Sequence, residues 1–154
     1  MTRLMMRPLV LIAVLIAAAA IAASNAAAQE NEWRDRQAAL SGLARIYGEL
    51  HHIRRMCEPR YEADVWRDRM KKLIELEEPS FDVREAMVKA FNAGYSTAQN
   101  RYSYCDRQAE DFAAARAAQG DAYIRSLTAP LYEAMRGDDA EGVTVWRGAN
   151  TDNR

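Results

Sequence analysis

Cysteine, histidine and proline are scarce: the 154 residues include only 2 Cys, 2 His and 4 Pro. Two thiols cannot build a four-thiolate zinc site or a disulfide-dense scaffold. No charge of one sign predominates either, since 21 basic residues against 22 acidic ones give a net charge of −1. That balance excludes a protein that binds nucleic acid by neutralising phosphates. There is no glycine-rich phosphate loop, no internal repeat and no alternation suited to strands. The serines Ser41, Ser80, Ser96, Ser103 and Ser126 sit in no nucleophile elbow or Ser-x-x-Lys motif, so serine catalysis has no support.

What is present begins with an export signal. Arg3 and Arg7 precede an apolar run from Leu9 to Ala23, and Ala26-Ala27-Ala28 follows before the first acid, Glu30. This is the order of a secretory signal peptide, 1–28, and the run is short for a spanning helix, which needs about 20 apolar residues. The expected mature protein starts at Gln29, sits in an oxidising compartment such as a periplasm, and has no membrane contact after cleavage. Losing Arg3 and Arg7 leaves 19 basic residues against 22 acids, a net charge of −3.

The mature chain reads as all-α: a small antiparallel bundle of three to four helices in residues 29–136, one of them long and in the C-terminal half. Leu40, Leu43, Ile46, Tyr47, Leu50, Ile53 and Cys57 step by three and four, predicting a helix over about 32–56. Pro59 ends it. Val65, Trp66, Met70, Leu73, Ile74 and Leu76 predict a second helix, and Ser80 is placed to cap a third. That third helix carries Met87, Phe91, Tyr95, Ala98, Tyr102, Cys105, Ala109 and Phe112, a seam predicted to continue unbroken past residue 112. A break or a weakening at Gly120, and a kink or a restart near Thr128-Ala129-Pro130, are expected. Residues 137–154 read as a polar, flexible tail.

Cys57 and Cys105 both fall on apolar stripes, and in an oxidising compartment a structural disulfide is the leading reading. Straight helices overshoot by roughly 15 Å, to be absorbed by the Pro59 loop, by tilt, or by a bend near Gly94 or Tyr104.

Gly48-Glu49-Leu50, Arg54, Cys57, Trp66-Arg67 with Met70, Leu73 and Glu77, and Phe91-Asn92-x-Gly94-Tyr95 followed by Tyr102 and Cys105 form an ordered string. Over about 43–127 it resembles an uncharacterised family of short exported alphaproteobacterial proteins, a domain of unknown function. The resemblance implies export, paired cysteines and a helical fold. It supplies no activity.

Other chemistry is thin. Glu49 and His52 have the Glu-x-x-His spacing of di-metal bundles, but a second motif is missing. His52 with Met56 suggests a copper site short of ligands. Glu75, Glu77 and Glu78 form an acidic cluster of the kind a peptidoglycan hydrolase uses, yet they flank Pro79 as a solvated turn does. The histidines are expected at a helix end or in solvent. Arg54, Arg67 and Asn92 form a candidate polar cluster, and Val143, Val145 and Trp146 a candidate partner-binding segment. The expected function is therefore a non-enzymatic periplasmic protein that binds another envelope protein in growth or maintenance, with a homodimer as one arrangement and no cofactor. The alternatives are a small-molecule or metal carrier and, third, a peptidoglycan-acting enzyme.

Overall fold

The computed structural model describes residues 6–139, with side-chain surroundings for 26–136. The order is α1 (Met6–Cys57), α2 (Val65–Glu77), α3 (Phe81–Arg101) and α4 (Arg107–Asp139). No described helix is long and apolar enough to cross a membrane. α1 begins well before residue 32 because the alanine-rich stretch ahead of Trp33 favours helix as strongly as the core-facing half does. α4 extends to Asp139, so residues 137–139, expected to open the tail, are helical. Val143, Val145 and Trp146 lie outside the described residues.

α1 is the hub, packing on α2, α3 and α4, which touch one another little. Its partners follow from its sequence. On one side Leu40 and Ala44 meet Met70 of α2 and Met87 of α3. On another, Ile46, Leu50 and Ile53 meet Ala98 and Tyr102 together with Ala109 and Ala113 of α4. α3 runs parallel to α1, as the pairs Arg45–Gly94 and Cys57–Cys105 require. α2 and α4 run antiparallel to it, as Tyr47–Trp66 with Arg36–Glu77, and Gly42–Tyr123 with Ile46–Gly120, show.

Residues 102–106 interrupt the seam that the sequence predicts to be continuous. Tyr102 leaves α3 in an extended conformation, and Asp106 accepts a hydrogen bond from the Ala109 amide at 2.8 Å, capping α4. The seam is apolar on both sides of the gap, so its periodicity hides the break. The visible signal is Asp106 three residues before Ala109. At Pro130, by contrast, α4 does not restart. The Ser126 and Thr128 hydroxyls donate back to the carbonyls of Tyr123 and Ile124, and Arg36 Nη1 donates to the Leu127 carbonyl, so side chains add hydrogen bonds to the turn that precedes the proline.

The break also lets the disulfide close. Cys57 and Cys105 are bonded with their Cα atoms 5.2 Å apart. Residues 58–64 run back along α1, so that Trp66 packs on Tyr47 with ring centroids 5.7 Å apart. That return recovers about ten helical residues, or roughly 15 Å. Cys57 is half-buried, whereas Cys105 is exposed on the connection and not on a core stripe.

Candidate functional site

α1 and α3 approach so closely that a Cβ at Gly48 would overlap the Phe91 carbonyl oxygen, and one at Gly94 would overlap the Arg45 carbonyl oxygen. The two glycines are reciprocal notches, each admitting the other helix's backbone. The strings Gly48-Glu49-Leu50 and Phe91-Asn92-x-Gly94-Tyr95 thus have a direct structural meaning: together they form this crossing.

The crossing brings polar residues into the interior. Glu49 is fully buried between α1 and α4. Arg116 Nε lies 2.8 Å from its Oε2 and Arg45 Nε 3.5 Å from its Oε1. Neither contact is aligned as a hydrogen bond, so ion pairing, not directed bonding, compensates the buried carboxylate. A glutamate was visible in the sequence at this point, but only as half of a metal motif. Its burial follows from helix α4, whose separate start periodicity concealed.

His51 is buried beside the rings of Phe91 and Tyr95, at 5.8 and 5.6 Å, with Nδ1 unpaired. His52 is part-buried, its Nε2 2.9 Å from the Tyr102 carbonyl oxygen, and it meets the Tyr95 ring edge-on. The expectation of solvated histidines is corrected, because α3 covers this side of α1. Met56 is partly buried and packs against the core formed by α1, α3 and α4.

Burial pushes the His51 imidazole below its ordinary pKa, and the Arg55 cation adds to this, against the opposing charge of Asp64. The unfolded chain then binds a proton more readily than the folded one. Stability is full above the unfolded pKa of about 6.5 and falls as pH drops through it toward the folded value. The midpoint of thermal unfolding should decline between pH 7.5 and about 5.5, and His51→Phe, which fits between the same rings, should flatten that decline. An unchanged slope in the variant, followed by calorimetry, would contradict the assignment.

The three members of the expected polar cluster are not joined by hydrogen bonds or ion pairs. Arg54 pairs with Glu58 at 2.6 Å and with Glu62 at 3.6 Å. Arg67 and Asn92 are exposed on α2 and α3. The acids near Pro79 also have local roles: Glu75 pairs with Lys72, Glu77 with Arg36, and Glu78 adopts the left-handed conformation that ends α2. Among the described residues, one His/Cys/Asp/Glu group is close enough to hold a metal, Cys57, Cys105 and Glu110. Both of its sulfurs are in the disulfide.

A group of unpartnered apolar side chains lies away from the disulfide, around the α2–α3 connection. Trp33, Leu76, Phe81, Leu131, Tyr132 and Met135 are all exposed there, Phe81 at 78%. Arg36 ties the region together, bonding Glu77 of α2 and the Leu127 carbonyl of α4. Trp33 lies across a shallow groove from Ser80, Asp82 and Val83 at the start of α3. Nine acids, Glu30, Glu32, Asp35, Glu75, Glu77, Glu78, Asp82, Glu85 and Glu133, fall within about a turn of these apolar residues, against five bases, Arg34, Arg36, Lys72, Arg84 and Arg136. The sequence patterns alone did not reveal this face, because its members come from four different helices.

Residues 35–130 match a family model described as Protein of unknown function (DUF2385). No curated protein and no solved structure matches the chain.

Proposed function

We propose that this chain, which belongs to the DUF2385 family, is an exported, non-enzymatic binding module that engages another cell-envelope protein through its apolar end. One observation carries this reading: six large apolar side chains from α1, α2, α3 and α4 are exposed around the level of the α2–α3 connection, whereas Tyr61, Val88, Tyr104 and Ile124 are exposed singly elsewhere. A monomer gains nothing from several exposed aromatic and aliphatic groups in one region, whereas an interface is anchored by such groups. The acidic surroundings favour a partner surface with apolar anchors and a basic rim. Export accords with the Ala26-x-Ala28 order after the apolar run and with a cross-link suited to an oxidising compartment.

Phe81→Ser and Tyr132→Ser, combined, should leave the melting curve nearly unchanged, because both side chains are already in solvent. The same variant should lose the partner complex recovered from the cell envelope, with a drop in affinity of about a hundredfold or more, as expected when interface anchors are removed. Recovery of the same complex at wild-type yield would refute the reading. A complex containing only a second copy of this chain would redirect it to a homodimer.

A further inference from the structure

A second surface, away from the apolar end, is organised by Glu49. Its carboxylate is 1% exposed and contacts both neighbouring guanidiniums through Nε, Arg45 from its own helix and Arg116 from α4. The closest approach of each is through Nε, and one terminal nitrogen of each is engaged elsewhere. Arg45 Nη2 reaches Thr97 at 3.5 Å and Arg116 Nη1 donates to Gln119 at 2.6 Å. Among the described residues, Arg45 Nη1 and Arg116 Nη2 have no hydrogen-bond partner.

A third cation joins them. Phe112 carries the Arg116 guanidinium 5.0 Å from its ring centre and that of Arg101 at 5.8 Å, while Arg101 also lies 5.4 Å from the Tyr102 ring. Stacking on a ring fixes a guanidinium without consuming its donors. Two cations therefore meet one carboxylate, and a third shares the Phe112 ring with one of them, in a chain whose overall charge is −1. Asp111, the acid one position before Phe112, is turned to Arg107 at 3.8 Å. Burying a carboxylate here is not the most stable way to fill this space, since an apolar side chain of similar size avoids the desolvation cost. What Glu49 does provide is fixed placement of two forks whose geometry matches carboxylate and phosphate oxygens.

We propose that Arg45, Arg116 and Arg101, set in place by Glu49 and Phe112, form a binding site for the oxyanion of a ligand, a carboxylate or a phosphate. This site is independent of the apolar end and does not rest on the function proposed for it.

The test is a nitrogen-15 NMR titration of the oxidised full-length mature chain at low ionic strength, with inorganic phosphate in one arm and N-acetylalanine in the other. The expected result is saturable shifts of the Arg45, Arg101 and Arg116 side-chain Nε–H signals in at least one arm, and the tighter arm identifies the class of anion. Arg45→Gln should weaken binding at least about tenfold. Arg116→Lys, which keeps the charge but loses the fork, should weaken it similarly, and Arg84→Gln, at the far end of α3, should leave it unchanged. Arg45 is half-exposed, so its variant is expected to fold, and amide spectra superimposable with wild type verify this. Non-saturating shifts in both arms, or an equal loss with Arg84→Gln, would overturn the proposal and indicate diffuse electrostatic attraction.

Discussion

Reduction of the Cys57–Cys105 bond should lower the midpoint of thermal unfolding by about 15 °C. The bond joins residues 48 apart in sequence, from the last turn of α1 to the α3–α4 connection. By the chain-entropy account, closing a loop of that length contributes on the order of 4 kcal/mol. The hub arrangement makes this contribution large relative to the whole. α2 and α3 both lie inside the closed loop and rest on α1 more than on each other, so the unreduced unfolded chain keeps their ends near the hub. The connection itself has few other ties, chiefly His52 beside the Tyr102 carbonyl and the Asp106 cap. Cys57→Ser combined with Cys105→Ser should reproduce the loss while leaving helicity at room temperature, measured by circular dichroism. A shift of only about a degree would mean that the bundle does not need its cross-link.

Gly48→Ala is expected to be comparably damaging although it adds a single methyl group. The new Cβ meets the Phe91 carbonyl, which is backbone and cannot rotate away as a side chain could, so α1 and α3 must separate. Separation uncovers Leu50, Ile53, Met87 and Ala98, all fully buried. A loss of about 2–3 kcal/mol is expected after allowing for alanine's better helix propensity, with a midpoint lower by about 10 °C. Gly94→Ala should behave alike for the reciprocal reason. Gly120→Ala provides the contrast, since its Cβ finds only the ordinary contacts of Ile46 at 3.6 Å and Leu43 at 3.7 Å. That variant should be neutral or more stable by up to about 1 kcal/mol. Equal effects for Gly48 and Gly120 in denaturant titrations would contradict the close crossing.

The difference between those glycines marks what the sequence could and could not reveal. Three- and four-residue steps identify helices and their buried faces, because burial on one side of a helix imposes that spacing. Leu40 to Ile53 and Met87 to Ala98 were legible for that reason, and both cysteines were rightly paired. The break at Tyr102–Asp106 was hidden, because residues on either side continue the same apolar rhythm while the chain leaves the helix. Once that break is missed, α4 cannot be placed against α1, and the burial of Glu49 beside Arg116 cannot be foreseen. The apolar end is likewise a product of topology: Trp33 lies mid-way along α1, and Leu76, Phe81 and Leu131 reach its level only when three chain reversals bring α2, α3 and α4 back beside it.

The claim that the apolar end is the binding surface is tested most directly by photo-crosslinking in intact cells. A photoreactive residue placed in turn at Phe81, Tyr132 and Met135, and for comparison at Arg60 and Arg107 near the disulfide, should give different outcomes. The account predicts one discrete covalent adduct with the same envelope protein from the three positions at the apolar end and none from the other two. The same adduct forming from Arg60 or Arg107, with none from Phe81, Tyr132 or Met135, would contradict it.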